Sequence, residues 1–406
     1  MLNVKTPDEA LDIITGAFSP MGAAENVPLD AALGRILSAD VRGSEYVPDF
    51  HRSTVDGYAA IAADTFGCSD SIPAVLEKRG SVLMGETPDF ALRQGQCAAI
   101  PTGGALPEGA DCAVMIEYTE DYGDGTIGIL KSAAPGSGVI FRGDDVYPGK
   151  SVLTAGRRLT AQDIGALAAM GITNVAAVKK PAVGIISTGD ELVPPSEKPA
   201  DGQMRDVNSA MLAAMMVSFG AEAVQYGIVR DSVPALEGAV DRALSECGMV
   251  LISGGSSVGE KDAACRVIAS RGELLFHGLA MKPGKPAILG SAEGKPLFGL
   301  PGHPAAAYFV AAIFVRAALA ALTGEKLRPC GVTARIAENV SANHGRAEYI
   351  GVRLTSEGGA LIAHPIRTKS GLITSLAGSD GYFCIPRDCE GVSAGESISV
   401  IVNTGG

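Results

Sequence analysis

The sequence predicts a multidomain chain of α/β plus β class, organised around a three-layer, doubly wound parallel sheet. Three observations predict it. Residues 182–326 alternate continuous apolar runs with helical patterns, as strands buried on both faces require. Residues 44–138 instead carry short β-prone runs broken by Gly, Pro and Asp clusters, and β texture returns after residue 326. The chain is 406 residues long, which at roughly 100–200 residues per domain gives two to four domains.

The first helix starts at Thr6, an N-cap followed by Pro7 and by Glu9 in capping-box position, with Ala10, Leu11, Ile13, Ile14 and Ala17 at helical spacing. Runs such as Ala98–Ile100 and Ala113–Ile116 mark an inserted β-rich domain, assigned to residues 51–139. Helical signal resumes at Thr160 and stops at Gly171. Residues 1–50 and 140–178 therefore read as one discontinuous N-terminal α/β unit interrupted by the insertion. Lys179-Lys180-Pro181 marks the next boundary. In 179–326, strands are expected at 183–187, 223–229 and 249–252, and helices at 208–219, 234–246 and 262–270. The apolar run Ala305–Val315 is interrupted by Arg316, well short of the ~20 residues of a membrane span, and reads as buried helix. Residues 327–406 read as a small C-terminal β-barrel or sandwich, with strands at 332–340, 349–354 and 397–402.

Composition excludes several function classes. With 45 acids against 33 Lys+Arg the formal charge is −12, which argues against a nucleic-acid binder needing a basic footprint. There is no Trp, and aromatic residues are 5% of the chain, so base-stacking platforms are not expected. Eight scattered cysteines without a Cys-x-x-Cys pair fit reduced thiols in a reducing compartment. The first residues lack the apolar core of a signal peptide, so a cytoplasmic protein without membrane partners is expected.

Chemistry concentrates in the loops after the expected parallel strands. These are Ser187-Thr188-Gly189-Asp190-Glu191-Leu192, then Ser253 to Asp262 with Gly254, Gly255 and Ser257, and Pro301-Gly302-His303-Pro304. Such glycines let backbone amides approach an anion, and the following helix N-terminus adds partial positive charge. One such loop alone is a tight βα turn; three in one domain favour an oxyanion or phosphate site. Met281-Lys282-Pro283-Gly284-Lys285-Pro286 supplies two local cations. Asp190, Glu191, Asp231, Glu260 and Asp262 lie where hard oxygen ligands could hold Mg²⁺ beside a phosphate, although helix capping explains Asp231 and Asp262 equally well. His303 reads as structural, and five dispersed histidines give no nucleophilic triad.

Together with Ser53-Thr54-Val55-Asp56-Gly57-Tyr58-Ala59, Pro101-Thr102-Gly103 and Arg142-Gly143-Asp144-Asp145, these seven collinear motifs resemble the molybdopterin molybdenumtransferase family, the MoeA and gephyrin E-domain family, over essentially the whole chain. The resemblance implies a molybdopterin-binding type of α/β domain and a homodimer. The inserted module of one subunit would face the parallel-sheet domain of the other, with the active site between them. It implies insertion of molybdate into the dithiolene of adenylyl-molybdopterin, with Mg²⁺ assisting and AMP leaving. The molybdopterin adenylyltransferase is the upstream partner it implies. Carried over by motif, Asp56, Thr102, Asp145 and Glu191 are catalytic. Gly254, Gly255, Ser257, Lys282, Lys285, Pro301, Pro304, Arg346 and Ser370 bind substrate, and Glu191, Asp231 and Asp262 bind metal. Two departures stand out. Gly278 replaces a basic residue of some members, with His277 as a substitute contact, and His303 stands where Asn is common. Two other readings compete: an adenylyltransferase, which needs only residues 182–326, and a non-catalytic scaffold.

Overall fold

Ala182–Thr188, Met249–Ser253 and Lys295–Leu300 are runs of apolar residues too continuous for a sheet with one wet face, and they form the centre of a six-stranded sheet. The computed structural model describes residues 4–254, 263–328, 331–367 and 369–403. Strand order across the sheet is 222–229, 182–188, 249–253, 295–300, 288–292, 273–277. The first four strands are parallel. Ile288–Ala292 runs antiparallel between its neighbours, so the sheet is mixed at one side because residues 288–300 form a tight hairpin. Alternate residues feed two cores. Val183, Ile185, Met249 and Leu251 pack on one face; Ile186, Val250, Ile252 and Leu297 pack on the other. Each fully buried side chain of this kind contributes about 1.5–3 kcal/mol.

One expectation about a helix is corrected. Pro7–Ala17 has its predicted Thr6/Glu9 capping box. Its buried face, Ala10 and Ile14, and the following Phe18 join the α/β core beside Phe314 and Leu322 rather than the unit formed with residues 140–178. An amphipathic helix goes where apolar surface is available, and the long C-terminal helix of the α/β domain offers it. That helix does not stop at Arg316: helical turns run without a break over Pro304–Thr323, 20 residues with a wide turn at Ala311–Val315. By length and composition it could cross a membrane, but 72% of it is buried inside the protein. Arg316 is tolerated because its guanidinium pairs with Glu325.

Ala24–Pro28 pairs with Asn174–Val178, and Val41–Arg42 with Ser151–Leu153, so residues on both sides of the insertion share one core. The insertion is a six-stranded mixed sheet with its own core. At the C-terminus five strands close on themselves: 347–357, 360–365, 331–336, 397–402 and 381–385, the last pairing back to the first. The result is a barrel. The long strand expected at 332–340 breaks after Ile336, and Val340–Ser341 pairs separately with Gly391–Val392.

Arg158 ties the discontinuous unit to the α/β domain. It donates to Glu325 at 2.8 Å, to the Phe219 carbonyl and to the Gly34 carbonyl. Burial alone would raise the Glu325 carboxyl, but hydrogen bonds from Arg158 and Arg316 outweigh it and hold it at about 2.

Candidate active site

The carboxyl ends of the parallel strands turn polar abruptly. Ser187 and Ser253 lie opposite each other in register on the face that Val183, Ile185 and Leu251 make apolar below them. Asn208, in the first turn of the helix Val207–Ser218, is buried against them. Its Nδ2 donates to Ser253 Oγ at 2.8 Å, and to the carbonyls of Gly302 at 3.0 Å and Pro301 at 3.4 Å. Among the described residues Asn208 Oδ1, Ser187 Oγ and Thr188 Oγ1 are buried without a hydrogen-bond partner. A buried polar atom left unpaired costs about 1–3 kcal/mol, so this edge has polar atoms available to a ligand or to the neighbouring loop.

Gly254 shapes the same edge. Its φ is +106°, and a Cβ there would sit 2.0 Å from the Thr188 carbonyl oxygen. A Cβ on Gly302 would be 3.8 Å from the Gly254 Cα, so the two loops touch without crowding. Glu191 folds its carboxylate back over Gly189, and the Asp190 carboxylate accepts from the Asp231 amide at 3.3 Å. Asp231 is not a cap: the helix Val233–Glu246 has Ser232 at its N-cap.

Beside this edge lies a cleft of about 640 Å³ between the α/β domain and the barrel. Strand pairing builds its mouth, because Met281–Lys282 adds in parallel to Ala347–Glu348 of the barrel. Lys282, Lys285, Pro301, Arg346 and Ser370 all line it, as does His303. Lys282 is opposite Glu348 in register and donates to its carboxylate at 2.8 Å, so it is a paired cation rather than a free one. Among the described residues Lys285 and Arg346 have no carboxylate partner. Arg367 and Lys369 also face the cleft. Arg367 pairs with Glu338 at 3.0 Å, so among the described residues five cationic side chains stand against two carboxylates, which still makes the cleft locally positive in a chain of net charge −12.

Asp56, Thr102 and Asp145 are elsewhere; the cleft wall contains none of them. Asp56 precedes the strand Gly57–Ala60, and Thr102 follows Gln96–Ile100, its antiparallel neighbour. Asp56 Oδ1 accepts from the Thr102 amide at 2.7 Å, which brings the two motifs together on one exposed edge. Gly57 is required there, since a Cβ would meet the Val114 carbonyl oxygen at 1.9 Å. Asp145 is exposed in the turn that returns to the discontinuous unit, its amide donating to the Val47 carbonyl. Pro304 opens the long helix at its first position.

Gly255, Ser257 and Asp262, with Glu260, lie outside the described residues. Among the described residues no three His, Cys, Asp or Glu side chains gather as metal ligands. Glu191 and Asp231 are two of the three carboxylates expected to hold Mg²⁺, and the third, Asp262, is among the residues outside the described ones. His277 does not substitute for a cleft contact, because its ring meets Cys265 at 3.5 Å instead. Gly278 has φ +104°, and its carbonyl accepts from Lys5; a side chain there would be strained whatever its charge. The groups that sequence reasoning missed are Asn208 and Glu348. Neither carries a local signal: one reads as an ordinary first-turn residue, the other as a strand residue whose partner comes from 66 positions away.

Three family descriptions match in order: "MoeA N-terminal region (domain I and II)" over residues 5–171, "Probable molybdopterin binding domain" over 184–321, and "MoeA C-terminal region (domain IV)" over 333–402. A molybdopterin molybdenumtransferase of Bacillus subtilis is 31% identical over 411 residues, covering 99% of this chain and 95% of that protein. One from Nostoc sp. is 32% identical over 385 residues, covering 93% and 88%. The crystal structure of the molybdopterin biosynthesis moeA protein from Pyrococcus horikoshii OT3 superposes with a TM-score of 0.86 at 33% identity, covering 98% of this chain and all of that one. Domain order, near-complete coverage and the shared fold make this chain a member of the MoeA family, the molybdopterin molybdenumtransferases of molybdenum cofactor biosynthesis.

Proposed function

We propose that this chain inserts molybdate into the dithiolene of adenylyl-molybdopterin and releases AMP. The observation that carries the reading is the reversal of charge in the cleft, where an acidic protein gathers Lys282, Lys285, Arg346, Arg367 and Lys369 against two carboxylates among the described residues, Glu348 and the Glu338 that pairs with Arg367. A tetrahedral dianion and a phosphate both need such a place. Lys285 and Arg346, lacking carboxylate partners, bind and orient the oxyanion, and Ser370 adds a hydroxyl beside them. Charge that develops as the pyrophosphate link breaks is stabilised by the same preorganised donors, the largest effect such a site can supply. The glycine edge at Gly254 and Gly302 admits the phosphate-bearing portion of the substrate close to the backbone.

Asp56, Thr102, Asp145 and Glu191 act on the leaving nucleotide or the attacking oxygen in this reading. The active site is completed in a homodimer, a second copy of the chain bringing its inserted module to the cleft. Support for that is the division of the motif residues between two separately cored regions. Mg²⁺, expected from the resemblance, would supply Lewis-acid charge neutralisation. The chain works in the cytoplasm and receives its substrate from a molybdopterin adenylyltransferase.

The test is to incubate the purified protein with adenylyl-molybdopterin, molybdate and Mg²⁺ and to follow AMP. Molybdate-dependent AMP release with metal retained on the pterin is expected. Adenylylation of molybdopterin from ATP, with no such release, would replace this reading with that of the adenylyltransferase.

A further inference from the structure

His303 opens the long helix at the edge of the cleft, and its ring is engaged there. Its Nδ1 lies 2.8 Å from Ser370 Oγ, across the boundary between the α/β domain and the barrel, and both residues line the cleft. The Ser370 carbonyl accepts from the Ala305 amide at 3.0 Å, so the barrel loop is fastened to the first turn of the long helix by main chain as well as side chain. His303 occupies the N-cap of that helix, yet its side chain makes no capping bond. The ring is therefore committed to Ser370 instead of to its own helix.

A serine hydroxyl has one hydrogen to give. If Ser370 donates it to the imidazole, only lone pairs face the cleft, and they repel an oxyanion. If instead Nδ1–H donates to Ser370 Oγ, the hydroxyl hydrogen is free to point at the anion. Beside Lys285 and Arg346 the second arrangement is the one an anion selects. We propose that His303 is a positioning residue for oxyanion binding, its Nδ1–H donating to Ser370 Oγ so that the Ser370 hydroxyl donates to the anion in the cleft. Asparagine can do the same through its side-chain amide. Alanine cannot.

The inference rests on the oxyanion reading above, and its test separates the two. Molybdate alone is titrated calorimetrically into the full-length protein, with melting followed by circular dichroism for every variant. His303→Ala is expected to bind on the order of tenfold to a hundredfold more weakly, the range for a hydrogen bond to a charged group. His303→Asn is expected to bind within about threefold of the parent. In a Ser370→Ala background, His303→Ala should cause almost no further loss, because the relay has already been cut. Additive losses, or a folded His303→Asn as weak as His303→Ala, would overturn the relay. So would unchanged binding by His303→Ala. Failure of the parent protein itself to bind molybdate would instead overturn the oxyanion reading.

Discussion

In the inserted module the Asp56 carboxylate is already held by the Thr102 amide at 2.7 Å, on a sheet edge whose hydrogen bonds are made within the module. At the carboxyl edge of the parallel sheet, Asn208 Oδ1, Ser187 Oγ and Thr188 Oγ1 are buried and unpaired among the described residues. One region presents a finished, exposed turn; the other keeps polar groups in reserve within its core. A preformed turn has its own hydrogen bonds made before anything meets it. A buried edge with unpaired polar atoms depends on each neighbouring contact, and mutations there should cost folding as well as binding.

Gly254→Ala is the hardest test of that contrast. The new Cβ would fall 2.0 Å from the Thr188 carbonyl oxygen at a backbone φ of +106°. We expect a loss of roughly 4 kcal/mol or more, enough to prevent accumulation of the folded chain. Urea unfolding by far-ultraviolet circular dichroism suits a protein without tryptophan. Gly302→Ala is the control, since its Cβ would make only an ordinary 3.8 Å contact, and it should fold normally. Equal stability of the two variants would refute the crowded edge.

The joint between the discontinuous unit and the α/β domain comes next. Glu325 lies between Arg158 and Arg316, and Glu325→Gln leaves two guanidiniums without their carboxylate, at a cost of roughly 3–5 kcal/mol. The pH dependence has a definite sign. The folded carboxyl is held near 2, below its ordinary 4.5, so its contribution of about 3 kcal/mol is complete above pH 4.5 and fades as pH falls toward 2. The variant should lose less stability than the parent across that window. Parallel acid-unfolding curves would show that Glu325 is not the titrating lock.

How much of this was legible in the chain follows from the range of the forces. The Thr6 and Thr160 capping boxes, the apolar strands and the closing β domain are local patterns, and they appear where the periodicity predicts. The glycine loops are local too. The first helix was assigned to the wrong neighbour because amphipathicity says that a helix has a partner and not which one. Lys282 was read as a free cation because Glu348 reaches it only through a strand pairing with the barrel. Asn208 was invisible for a related reason: its partners, Ser253, Pro301 and Gly302, come from two other strand ends.

The proposed division of the site between copies makes a sharper prediction than either half alone. Asp56→Ala should reduce AMP release on the order of a hundredfold, with a stability change of only about 1 kcal/mol from the lost bond to Thr102. Lys285→Ala impairs the opposite half. If the active site joins the module of one copy to the cleft of another, dimers re-formed from an equal mixture of the two variants should regain roughly a quarter of parental activity, because half are hybrid and each hybrid holds one intact site. No recovery after verified subunit exchange would put both halves within a single chain.

The smallest expected effect concerns the two lysines of the Lys-Pro-Gly-Lys-Pro turn. Sequence treats them alike, but Lys282 donates to Glu348 while Lys285 has no carboxylate partner among the described residues. An anion that recruits Lys282 must compete with that carboxylate, so the net gain from Lys282 is the smaller one. Lys285→Ala should therefore weaken molybdate binding about tenfold, and Lys282→Ala only a few-fold. Glu348→Gln releases Lys282 and removes the one carboxylate among the described residues of the cleft wall, so it should tighten binding relative to the parent at low ionic strength. Calorimetric titration at two salt concentrations checks all three. A larger loss from Lys282→Ala than from Lys285→Ala would mean that the ion pair opens when the anion arrives and that Glu348 is its counterweight in the empty cleft rather than a permanent partner.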